Sequence, residues 1–145
     1  QKLRTVEYSQ CLSVQLYCDD GDFQRDWYAL LARDRLHPLL WVSCENCKGF
    51  VSRGTALIAQ LGPQASVDLW QKSDDEIIGQ TQIWLRDLLS FASNGTRASV
   101  RRWLHSLPKN PVNFDEINPP GTRVLVCGDG MARGRVPDAY ESGLK

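Results

Sequence analysis

Between Leu12 and Cys18 apolar and polar residues alternate. Leu12, Val14 and Leu16 fall on one side and Ser13, Gln15 and Tyr17 on the other, the period-2 signature of a strand with one buried face. Asp19-Asp20-Gly21-Asp22 reads as a turn with good helix-capping side chains. Phe23, Trp27, Leu30 and Leu31 then recur at helical spacing and predict an amphipathic helix to about Leu36, where His37-Pro38 breaks it. The unbroken run Leu39-Leu40-Trp41-Val42 predicts a short strand buried on both faces. Phe50, Ala56, Leu57, Ile58 and Leu61 predict a helix stopped by Gly62-Pro63, and Val67-Asp68-Leu69-Trp70 a third strand.

The second half begins with Asp74-Asp75-Glu76, acids suited to the start of a longer helix that carries Ile77, Ile78, Ile83, Trp84, Leu85, Leu88 and Leu89. Asn94-Gly95-Thr96 ends it, and residues 98–107 predict a further short helix with Val100, Trp103, Leu104 and Leu107 packed on the 74–93 helix. Residues 108–121 hold prolines and no period, which predicts a loop. Residues 122–127 read as a strand, Gly128-Asp129-Gly130 as a hairpin turn, 131–136 as a weak return strand, and the tail from Pro137 as frayed. The order β-α-β-α-β, a helical segment and a hairpin predicts one α/β domain over 1–145. Its mixed sheet would carry helices on both faces, with 74–107 as a helical enlargement before the closing hairpin.

Composition narrows the function classes. A 145-residue chain, 42% hydrophobic and 23% charged, is an ordinary globular domain rather than a disordered or collagenous chain. Seventeen basic residues balance seventeen acidic ones, which argues against a dedicated nucleic-acid binder. No apolar run reaches the length of a membrane span and the N-terminus shows no signal-peptide core, so a soluble chain is expected, cytosolic or with its targeting segment removed.

Five cysteines, Cys11, Cys18, Cys44, Cys47 and Cys127, cannot all pair within one chain. Cys44-Glu45-Asn46-Cys47 sits where the predicted buried strand hands over to a helix. There the helix N-terminus would favour a thiolate on Cys44, and Cys47 is spaced to resolve a mixed disulfide. A structural zinc site would need two more ligands, and Cys11, Cys18, Cys127, His37 and His105 form no second close pair.

The stretch 12–70 resembles the first half of a thioredoxin. It has a strand, an Asp-Asp turn, a Phe-led helix, a buried strand with Trp41 just before Cys-x-x-Cys-Lys, a helix, and a strand at Val67. The 122–136 hairpin, entered from Pro119-Pro120-Gly121, resembles the one that follows the family's cis-proline. The resemblance implies thiol–disulfide exchange, with Cys44 as the exposed attacking thiol and Cys47 as the resolving one. Trp41 would flank the site and Pro120, if cis, would form the substrate groove. It implies a protein substrate or protein partner, no organic cofactor, no metal, and an extracytoplasmic (periplasmic or secreted) setting. Three features depart from the family. The lead-in strand lacks an acid, Gly121 follows Pro120, and Glu45 opposes a Cys44 thiolate, so weak exchange is expected.

The competing class is a non-catalytic thioredoxin-fold interaction module in a secretion- or conjugation-type assembly. A third is a helix-turn-helix DNA binder, since Arg97, Arg101, Arg102, His105 and Lys109 make 97–109 basic; the apolar positions there favour a core helix with a solvated basic face instead. Asn94-Gly95-Thr96 fits the glycosylation acceptor pattern.

Overall fold

Residues 2–19, 26–91, 96–131 and 134–145 are described by a computed structural model, the side chain of Thr96 apart. The expected turn at Asp20-Gly21-Asp22, the helix start at Phe23, and the Asn94-Gly95 turn with its acceptor asparagine lie outside these residues. So do Ala132 and Arg133 of the expected return strand.

Five strands form one sheet: β1 (Tyr8–Cys18), β2 (Ala29–Leu31), β3 (Leu39–Cys44), β4 (Thr55–Leu61) and β5 (Thr96–Pro108), in the order β2-β3-β4-β1-β5. The pairs β2/β3, β3/β4 and β4/β1 are antiparallel. Side-chain pairs Trp103–Ser13 and Ser99–Gln15 show β5 running against β1 as well. Four helices complete the chain: α1 (Pro63–Leu69), α2 (Asp74–Leu89), the single turn α3 (Phe114–Ile117) and α4 (Val136–Gly143). The chain is thus of mixed helix and strand, α/β in the broad sense, built on an antiparallel sheet in place of the expected crossovers.

Two compact units divide the chain, one of residues Cys11–Trp103 and one of Gln1–Gln10 with Leu104–Lys145. The central unit holds the hydrophobic core. Leu12, Val14 and Leu16 of β1, Val42 of β3, and Leu57, Ala59 and Leu61 of β4 bury the same sheet face against Ile77 and Leu85 of α2. The Ser66 hydroxyl of α1 accepts from the Leu12 amide at 3.1 Å and donates to the Leu61 carbonyl at 3.3 Å. These bonds satisfy polar groups that burial would otherwise leave costly. Ser73 and Glu76 close a capping box at the start of α2. Hydrogen bonds from the Ser73 backbone and hydroxyl, then from Lys72, hold the Glu76 carboxyl down at about 2.

Several expected elements change type, for identifiable reasons. Residues 55–61 form β4, not a helix: Ala56-Leu57-Ile58-Ala59 fits either period, but Thr55, Leu57, Ala59 and Leu61 alone are buried, which is strand alternation. Gly62-Pro63 opens α1 instead of stopping a helix, because Pro63 occupies the first helical turn, where its missing N–H costs nothing. Residues 67–69 are accordingly helical. Leu30 and Leu31 pair with Val42 and Trp41 on the β2 edge where a helix to Leu36 is expected.

Residues 98–107 belong to β5, so the helix-turn-helix has no second helix. Ala98 and Val100 pack toward the core while Trp103, Leu104 and Leu107 are half exposed. Arg102 is not a free basic side chain either. It donates to the Trp70 and Lys72 carbonyls and pairs with Asp74 at 2.6 Å, tying down the α1–α2 connection. The expected 122–127 strand and hairpin are absent from the described backbone. A 3-10 turn at Asp129–Met131 and α4 stand there instead, and the tail is helical. No helix of the described residues is long and apolar enough to cross a membrane.

Candidate functional site

An antiparallel sheet with helices on one face presents its other face. In the central unit that face carries Trp41 and Ser43 from β3, Ala56, Ile58 and Gln60 from β4, and Ser13, Gln15 and Tyr17 from β1. Arg97, Ser99, Arg101 and Trp103 come from β5. The cross-strand bonds confirm the assignment: Trp103 Nε1 donates to Ser13 Oγ at 3.2 Å and Ser99 Oγ lies 3.4 Å from Gln15 Oε1. A cavity of about 610 Å³ opens at one end of this face, floored by Gln15, Tyr17, Ala56, Ile58, Arg97 and Ser99 and walled by Glu45, Phe50 and Val51.

The wall is the connection between β3 and β4, and it contains the cysteine motif. After Cys44 the chain makes a 3-10 turn at Asn46–Lys48 and leaves it through Gly49 at φ 78°. Asn46 fixes the loop. Its amide donates to the Gly54 carbonyl at 2.7 Å and the Val51 carbonyl at 3.4 Å, and its oxygen accepts from the Ala56 amide at 2.9 Å. Phe50, held between these anchors, stays 77% exposed. An aromatic ring left so open at the mouth of a cavity is a contact surface without a contact.

Charge in the groove is arranged in two places. At the wall, burial pushes the Glu45 carboxyl up, but hydrogen bonds from Lys48 (2.8 Å) and Ser43 (2.6 Å), together with the Lys48 charge, outweigh it, and the net shift is downward. Glu45 is therefore a fixed anion at neutral pH. Across the sheet, Arg97 pairs with Asp19 at 2.9 Å and lies 4.6 Å from the Tyr17 ring centroid. Further along β5, the exposed Arg101 lies 5.5 Å from the Trp103 ring centroid. The face thus offers aromatic and aliphatic surface with guanidinium groups on the β5 side and a carboxylate on the β3–β4 side.

The structure separates the residues that the sequence groups together. Cys44 faces the core at 0% exposure and Cys47 is exposed on the 3-10 turn, which reverses the accessibility expected of an attacking Cys44. Trp41 is half-buried on the open sheet face, in register with Gln60. Pro120 belongs to the other unit, in a turn where Thr122 caps the Pro119 carbonyl, and no described peptide bond is cis. Among the described residues no three His, Cys, Asp or Glu side chains converge as metal ligands. Sequence reasoning places Arg97 in a basic helical segment and does not single out Tyr17 or Phe50 as site residues. The available signal is the period-2 pattern Arg97-Ala98-Ser99-Val100-Arg101, which puts the basic residues on one strand face.

No family model and no curated protein matches this chain. Among solved structures it is similar to one described as "Putative protoporphyrinogen oxidase from Exiguobacterium sp. 255-15", at a TM-score of 0.73 and 15% identity. The match covers 97% of this chain and 34% of that one, so the chain spans about a third of the length of its structural neighbour. The two share a fold over that third.

Proposed function

We propose that this chain is the substrate-facing portion of a larger oxidase, with the open sheet face as one wall of the substrate site. The observation that carries the reading is that face: one side of the sheet is sealed by α1 and α2, while the other presents a cavity lined by Tyr17, Ile58 and Phe50 beside Arg97. The neighbour's name supplies the reaction class, and the oxidising step is assigned to the remainder of the larger protein. The groove's chemistry suits a flat, apolar ligand bearing a carboxylate. Its acid would point toward Arg97 and Arg101, away from the fixed anion at Glu45, and its body would lie on Tyr17 and Ile58. Protoporphyrin, a planar dicarboxylate, is a direct probe. Quenching of tryptophan fluorescence should saturate, and replacing Arg97 and Arg101 together by Glu should weaken binding by roughly tenfold or more, the worth of one charge-assisted contact. Non-saturable quenching, or affinity indifferent to that reversal, would sink the proposal.

Thiol–disulfide exchange is the second reading. It is favoured by the exposure of Cys47 next to Lys48, and in this geometry Cys47 is the entering thiol. Native-state trapping across a glutathione series should then modify Cys47 well before Cys44. Cys44 reacting first, or no redox transition at either position, ends this reading.

A further inference from the structure

Among the described residues, the smaller unit contributes none to the buried core cluster and buries instead the polar side chains Asn118, Asp138 and Ser142. Its helix α4 turns Ser142 inward, where the hydroxyl accepts from the Gly128 amide at 2.9 Å. Val136, Tyr140 and Leu144, spaced four apart along one side, are all exposed. An amphipathic helix with its apolar stripe in solvent lacks the layer it was patterned to cover.

Residues 122–127 show the same inversion more sharply. Thr-Arg-Val-Leu-Val-Cys has strand composition, and Val124 and Leu125, which would point to opposite sheet faces, are 71% and 68% exposed. Apolar residues on both faces are the pattern of an interior strand covered on each side. The backbone is half prepared for pairing. Asn118 donates to the Val126 carbonyl at 2.8 Å and accepts from its amide at 2.8 Å, occupying that residue as a neighbouring strand would. Among the described residues no backbone hydrogen bond involves Arg123, Val124 or Leu125.

We infer that 122–127 is an interior β-strand whose ladder partner is an extended segment of the same larger protein, and that α4 packs on the sheet so formed. The inference rests on the reading of this chain as part of a larger oxidase. The length of chain needed is at hand in the structural neighbour, about two-thirds of which lies outside the match. A charged or flexible partner is disfavoured, because it would leave Val124 and Leu125 in water on both faces. The strand reaches α4 through Gly128-Asp129-Gly130, a strand–turn–helix order that supplies one half of a crossover unit.

Hydrogen–deuterium exchange tests it on the 145-residue chain and on the native polypeptide purified from its source. In the 145-residue chain the amides of Arg123, Val124 and Leu125 should exchange at nearly the rate of an unstructured peptide. In the native polypeptide they should slow by at least about 100-fold, as expected for ladder amides. Equal, fast exchange in both proteins overturns the inference, and so does protection already present in the shorter chain. A double variant, Val124→Lys with Leu125→Lys, adds a second measurement. It should leave the unfolding of the central unit unchanged in the 145-residue chain and lower the melting temperature of the native polypeptide. No change in the native polypeptide contradicts the inference. Protection of 122–127 without porphyrin binding at the open face would retire the oxidase reading and leave the strand assignment standing; binding without protection would do the reverse.

Discussion

Gly54→Ala is expected to destabilise the protein by more than about 2 kcal/mol, among the larger effects available to a single methyl group. Two causes add. Gly54 has φ 69°, a left-handed conformation in which an L side chain costs roughly 1–2 kcal/mol. A Cβ there would also fall well inside van der Waals contact distance of the Cys18 carbonyl oxygen and lie 3.0 Å from Tyr17 Oη. The carbonyl is backbone in β1 and lacks the freedom of a side-chain tip. Relief therefore requires the β3–β4 connection to lift. That movement takes with it the Gly54 carbonyl that Asn46 holds at 2.7 Å, and with Asn46 the wall that carries Phe50. The expected result is a lower denaturant midpoint at unchanged slope, together, on the proposed reading of the groove, with weaker porphyrin binding. A loss below about 0.5 kcal/mol, the range of an ordinary surface change, would mean that the loop is not pinned as described.

The parts of the fold legible in the sequence are those where one period excludes the other. β1 alternates without interruption, Leu39-Leu40-Trp41-Val42 is too short for a helix between its breakers, and α2 has sixteen residues with a capping box at its head. These three are read correctly as elements, although β3 keeps Trp41 half-buried on the open face where burial on both faces is expected, and α2 ends at Leu89, short of the expected stop at Asn94. β4 and β5 are misread because their apolar residues cluster, so that helical and strand templates both match; only pairing with β1 on either side decides. Gly62-Pro63 is misread as a stop because glycine and proline punctuate both ends of helices. Here Gly62 also fits a close approach: its amide donates to the Pro38 carbonyl at 2.8 Å, and a Cβ would lie 2.7 Å from the His37 oxygen.

The site is legible only as far as local sequence reaches. The 44–48 motif does stand at the end of a strand and at the edge of a cavity, but it forms a turn between antiparallel strands, so no long helix dipole acts on Cys44. The other half of the groove depends on Arg97 meeting Tyr17 and Asp19 across some eighty positions of chain, a contact that no periodicity announces. The 122–127 segment is the reverse case. Its composition announces a strand that the described backbone does not form.

The covered and open faces of the sheet predict opposite outcomes for two adjacent residues. Leu57 is 1% exposed and faces α2, in register with Leu16, whereas Ile58 faces the groove, in register with Gln15 and Ser43. Leu57→Ala removes a side chain from the packed layer and leaves a cavity that β-sheet backbone on either side is too stiff to collapse. A cost of about 2–5 kcal/mol follows, which can consume a large part of the stability of a domain this size. Ile58→Ala truncates a side chain that is only partly buried, and its stability cost should fall clearly below that of Leu57→Ala. Binding should respond in the opposite order. On the proposed reading, Ile58→Ala takes away groove floor and should weaken the porphyrin probe, while Leu57→Ala should leave affinity intact under conditions where the protein is still folded. Thermal melts and fluorescence titrations on the two variants separate the faces directly. Equal stability losses at both positions would show the open face to be packed in solution, and would overturn the proposal that it is a substrate wall.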